Sequence, residues 1–140
     1  MLTINATDAR NEWSALIDSV IREKPKFIKR TRDYMMLSDV KLIESLLAAY
    51  VFTANVFHEA DGSVTLSLNE INLVENDVSL ENAVLKLAEG ILDYARDFYN
   101  DFAYWATGER KSHIPYIIKA LIIDDINKIG GLIHCQHGKS

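Results

Sequence analysis

The sequence is short of the residues that staple, signal or span. It has one cysteine, Cys135, in 140 residues, so neither an intramolecular disulfide nor a four-cysteine zinc site can form. Prolines number two and glycines six, and there is no internal repeat or low-complexity segment. No stretch approaches the roughly 18 uninterrupted apolar residues that a spanning helix needs. Met1-Leu2-Thr3-Ile4-Asn5 lacks the basic region, apolar run and small-residue cleavage site of a secretory signal. The expectation is a soluble, cytoplasmic protein with no membrane partner. Catalytic signatures are missing too: no Gly-x-Ser-x-Gly elbow, no glycine-rich phosphate loop and no His-Glu-x-x-His, so the chain is not expected to be an enzyme. What is present is apolar: 49% of residues are hydrophobic. That suffices for a buried core in one domain or two small ones and excludes disorder along the whole chain.

The net charge of −5 argues against a simple nucleic-acid binder, but it is unevenly spread. Residues 1–41 hold eight basic and six acidic side chains, +2, and the other 99 hold seven basic and fourteen acidic, −7. Such asymmetry suggests different partners for the two parts.

Periodicity predicts an α+β fold. Leu2 to Asn5 reads as a short strand, and Thr7 or Asp8 as the cap of a helix. That helix carries Ala9, Trp13, Leu16, Ile17, Val20 and Ile21 on one apolar stripe. Pro25 ends it. Lys26 to Arg30 and Asp33 to Leu37 read as strands joined at Thr31-Arg32, and Asp39 as the cap of a helix over Val40 to Tyr50. Residues 1–50 thus form a β-α-β-β-α module. Residues 51–140 start with a hairpin, Val51 to His58 and Ser63 to Ile71, around Asp61-Gly62. A helix capped by Ser79 runs to about Ala106, its seam formed by Leu80, Val84, Leu87, Ile91, Tyr94, Phe98, Phe102 and Trp105. Gly108 ends it, the apolar segment Ile114 to Ile123 follows, and Gly130-Gly131 reads as a break between short helical pieces.

Three groups of residues suggest chemistry. Arg22-x-Lys24-x-Lys26-x-x-Lys29-Arg30-x-Arg32, with Arg10 if that helix end lies nearby, can neutralise phosphates or serve as ordinary solvated edge charges. Glu89, Asp93, Asp97 and Asp101 recur every four residues on the long helix, where like charges repel. A basic partner protein would offset them, and a plain solvated face is the alternative. A metal needs donors from facing helices, and none is expected. His134-Cys135-Gln136-His137 groups soft ligands, but so close together they cannot enclose an ion unaided. No metal or cofactor is expected there either.

Ile4-Asn-Ala-Thr-Asp-Ala-Arg10-Asn11-Glu-Trp13-Ser-Ala-Leu-Ile-Asp18 resembles the opening of the Phd/YefM antitoxins, in which a strand leads into a helix with Ala-Arg, an aromatic, a serine and a Leu-Leu/Ile-Asp run. Lys26-Phe-Ile-Lys-Arg30 and Met35-Met-Leu-Ser38 look like that family's next two strands. The resemblance covers about a third of the chain. It implies a homodimeric module that binds operator DNA and represses its own operon, and a separate C-terminal part that neutralises a protein toxin. By match, Arg10, Asn11 and Arg30 are the DNA contacts; Lys29 and Arg32 are added from local charge. The family's Arg-Gly-Lys-Pro turn is replaced by Thr31-Arg32-Asp33-Tyr34. The second part, 51–140, resembles that of longer Phd-like antitoxins, and Glu89, Asp93, Asp97 and Asp101 are its toxin-binding candidates. Two other readings are a Phd-like interaction module without DNA binding and a small metal-dependent enzyme.

Overall fold

A computed structural model describes residues 1–137 and divides the chain into two units, Met1–Leu46 and Leu47–Ser140. The fold is α+β in each.

In the first unit, β1 (Thr3–Asn5) leads straight into α1 (Ala6–Asn11) and α2 (Trp13–Arg22). The cap is Asn5, whose Oδ1 accepts from the Thr7 backbone N–H at 2.8 Å, and not Thr7 or Asp8. Strand β1 ends where the cap sits, so the asparagine closes the strand and opens the helix at once. The expected single helix is broken at Glu12, which leaves helical geometry at φ −112°, ψ 30°. The break shifts the apolar stripe. Ala9, Leu16 and Val20 are buried with Ile28, while Trp13 and Ile21 point to solvent. β2 (Lys26–Arg30) pairs parallel to β1 and antiparallel to β3 (Asp33–Leu37), giving the order β1-β2-β3. Thr31 takes the turn in left-handed geometry, φ 57°. The Asp39 carboxylate accepts from the Lys41 N–H at 3.0 Å as α3 (Val40–Leu47) begins. This helix is shorter than the sequence suggests, and none of its residues is buried.

The second unit opens with β4 (Phe52–His58) and β5 (Val64–Leu68). Gly62 turns the hairpin with φ 87°, a conformation that favours glycine. Val64, Leu66 and Leu68 are buried, and Thr65 and Ser67 are not, as alternation predicts. Two strands are absent from the sequence reading: β6 (Val74–Asp77), antiparallel to β5, and β7 (Ile133–His137), parallel to β4. The sheet order is β6-β5-β4-β7, so this part is a four-stranded mixed sheet with helices rather than a hairpin with helices. Its uncovered face is a polar lattice in which the Asn69 amide donates to Thr53 Oγ1, and the Asn76 amide to Thr65 Oγ1.

A parallel pair needs a long crossover, and residues 79–132 supply it. Ser79 caps α4 (Leu80–Asn100) by accepting from the Asn82 N–H. The helix stops at Asn100 rather than near Ala106. Asp101 breaks away at φ −135°, and α5 (Phe102–Trp105), a 3-10 segment (Gly108–His113), α6 (Ile114–Ile123) and α7 (Ile126–Leu132) follow. Gly130-Gly131 lies inside α7 and does not separate helices. A Cβ on Gly130 would lie 3.4 Å from Val84 Cγ1, so the glycine lets α7 approach α4 closely. The core comprises Phe52, Leu66, Leu87, Ile91, Phe98, Ile117 and Ile129, all fully buried, each contributing about 1.5–3 kcal/mol by leaving water. Leu80 and Phe102, expected on the seam, lie at its exposed margin.

Candidate functional site

The basic group of the first unit is organised by the β2–β3 hairpin. Strand alternation sends neighbours to opposite faces. Lys29 pairs in register with Asn5 and Tyr34 on the face away from the helices, where its ammonium lies 5.5 Å from the Tyr34 ring centroid. Arg30 is two residues after buried Ile28 and therefore shares the helix-bearing side, in register with Asp33. Arg32 stands in the turn. Arg10 and Asn11 form the last residues of α1. All five candidates are exposed. Among the described residues no carboxylate lies within ion-pair distance of the four cations, and the ion pairs that do form, Lys86–Glu75 and Arg96–Asp124, are in the second unit. The hairpin thus gathers Lys29, Arg30 and Arg32 at one end of the sheet but divides the first two between its faces. A shallow depression of about 420 Å³ lies among Thr3, Asn5, Lys29 and Thr31. Thr3 and Asn5 were missed by charge-based reading because they carry no charge; the parallel β1–β2 register brings them there.

The acidic series of the second unit is exposed as well. Steps of four residues advance about 40° beyond a full turn, so from Glu89 to Asp97 the carboxylates wind over about 80° of the surface of α4, and Asp101 lies just past its last residue. They do not form one cluster. Glu89 borders a groove of about 530 Å³ with Asp77, Asn82, Leu85 and Lys86. Asp97 and Asp101 lie near the C-terminal end of α4, beside exposed Tyr99. None of the four has an ion-pair partner among the described residues.

The soft-ligand run is divided by β7. Cys135 and His137 share the face of Ala54 and Val56, while His134 and Gln136 pair with Thr53 and Asn55 on the other. Burial raises the Cys135 thiol pKa, which disfavours the thiolate. Among the described residues, no group of three or more His, Cys, Asp or Glu side chains converges on a metal position. No helix of the described residues is long and apolar enough to cross a membrane.

Comparison with known proteins agrees with the architecture. No curated protein matches the sequence. A crystal structure from Syntrophomonas wolfei subsp. wolfei, described as the antitoxin part of a proposed toxin/antitoxin system, superposes with a TM-score of 0.92 at 36% identity, covering 99% of this chain and 100% of that one. The model of the PHD-like family, described as antitoxin of toxin-antitoxin, RelE / RelB, TA system, matches residues 1–135. With both parts of the fold inside that match, the chain belongs to the PHD-like family of antitoxins of toxin–antitoxin systems.

Proposed function

We propose that the protein neutralises a protein toxin by direct binding and represses its own operon by binding operator DNA as a homodimer. It works by stoichiometric binding and is not an enzyme. The observation that carries the DNA assignment is the set of four exposed cations, Arg10, Lys29, Arg30 and Arg32, in the unit with the basic excess, which have no carboxylate partner among the described residues. Exposed cations without such a partner are available to displace counterions from phosphates. Asn11 supplies an amide capable of reading a base edge. The dimer is supported by apolar surface. Tyr34, Met35 and Met36 on edge strand β3 are exposed, and α3 presents Val40 and Leu46 to solvent without burying any residue. A second copy would cover such surface. The acidic second part, with Glu89, Asp93, Asp97 and Asp101, suits a basic toxin, because complementary fields accelerate encounter.

The test is a gel-shift titration on the protein's own promoter at two salt concentrations. Replacing Arg10 and Arg30 by alanine should weaken binding and lower the log–log salt slope by about 2 per chain; unchanged binding would remove the DNA assignment. One observation favours the alternative of an interaction module without DNA binding. Lys29 and Arg30 face opposite sides of the sheet, so one flat surface cannot use both. Absence of any salt-dependent affinity in the unmodified protein would decide for it.

A further inference from the structure

The sequence sets His134-Cys135-Gln136-His137 aside because its ligands are too close in the chain to surround an ion. The fold brings a third imidazole to the run. His58 ends β4, and the parallel β4–β7 register aligns Val56 with His137. His58 is therefore the diagonal neighbour of His137 on the same face, and the two rings stack at 5.7 Å between centroids with 23° between planes. Both side chains are exposed, and neither forms a hydrogen bond or ion pair with another described residue. His58 is held in the ladder opposite Val64 and His137 opposite Val56, so the backbone positions of both ligands are set before anything binds.

We propose that His58 and His137 form a two-imidazole site for a late first-row divalent ion. Two imidazole nitrogens that share such an ion lie about 3–4 Å apart, given metal–nitrogen bonds near 2.0–2.1 Å, a spacing that stacked rings reach by side-chain rotation. Both nitrogens bind in the neutral form, and the remaining positions belong to water. With nitrogen ligands and no imposed geometry, affinity follows the general order, copper(II) above nickel(II) and zinc(II). A bound ion clips β7 to β4 and thereby stabilises the second unit.

The experiment is equilibrium titration of the untagged, full-length protein with copper(II) and zinc(II) near neutral pH. It is read by calorimetry, by electron paramagnetic resonance of the copper form and by thermal unfolding with and without metal. The expected result is one ion per chain, a copper spectrum with two imidazole nitrogens, and a melting temperature that rises with metal. Either His58→Gln or His137→Gln should weaken binding about tenfold or more, since the second imidazole acts at high effective concentration, and should abolish the rise. His134→Gln, on the other face of β7, and Cys135→Ser should leave both intact. No binding, or binding that survives His58→Gln but is lost with Cys135→Ser, would overturn the site. Circular dichroism of each variant establishes that it is folded.

Discussion

The Tyr94 hydroxyl and His113 Nδ1 lie 2.8 Å apart, joining the middle of α4 to the 3-10 segment that leads into α6. The pair sits in an aromatic enclosure. Trp105 meets Tyr94 edge-on at 5.8 Å, and the Arg110 guanidinium lies 4.9 Å from the Trp105 ring centroid while donating to the Tyr104 carbonyl. Burial, followed by the nearby Arg110 charge, lowers the His113 pKa. Both effects disfavour the charged ring, and the contact is a hydrogen bond between the tyrosine hydroxyl and the imidazole.

This arrangement predicts an acid-sensitive second unit. The folded pKa of His113 is depressed, so the unfolded chain takes up the proton first. The stabilisation is fully present above about pH 6.5, the ordinary histidine value, and is lost as pH falls through the folded pKa. Urea unfolding from pH 7.5 to 5 should show a falling midpoint, and His113→Gln should flatten that slope. An identical slope in the variant would remove His113 as its source.

Lys119 predicts a second measurable loss. Its ammonium donates to the carbonyls of Tyr50 at 2.6 Å and Leu47 at 3.4 Å, anchoring the start of the second unit to α6. Lys119→Met keeps the aliphatic length and leaves those carbonyls to water, at a cost of about 1–2 kcal/mol. Lys119→Arg should recover part of it, as measured by denaturant midpoint.

The glycines of α7 should respond differently from one another. A Cβ on Gly131 meets nothing within 4 Å, so Gly131→Ala should raise stability by about 0.5–1 kcal/mol through helix propensity. Gly130→Leu must force its side chain into Val84, Leu85 and Ala88 and should cost about 1–3 kcal/mol by overpacking. Thermal melts of the two variants should move in opposite directions.

Phe98 is fully buried against Tyr94, Phe102 and Trp105. Phe98→Ala should destabilise the second unit by about 3–5 kcal/mol, seen as a lower melting temperature with the first unit's helical signal retained.

Where burial repeats within a few residues, the sequence displays it. Val64-Leu66-Leu68 against Thr65-Ser67, with Asp61-Gly62 before them, identify the hairpin, and Ser79 marks the start of α4. Edge strands lack that signal. β6 buries none of its four residues and β7 only Ile133, so their polar sequences resemble loops until the partner strand is known. Gly130 departs from its sequence reading for a related reason: propensity speaks for a break, and contact with Val84 on α4 decides otherwise. Among the site candidates, the cations were readable as charge, but their division between sheet faces depends on register, as does the meeting of His58 with His137.

The parallel pairing of β4 with β7 also sets an order of events during synthesis. Phe52 waits about eighty residues for Ile133, roughly 4–16 s at ordinary elongation rates. Throughout that interval one edge of β4 has no partner strand and stays open to pairing with other chains. The first unit's sheet is complete by Leu37, so its strands can pair while the ribosome is still making the second.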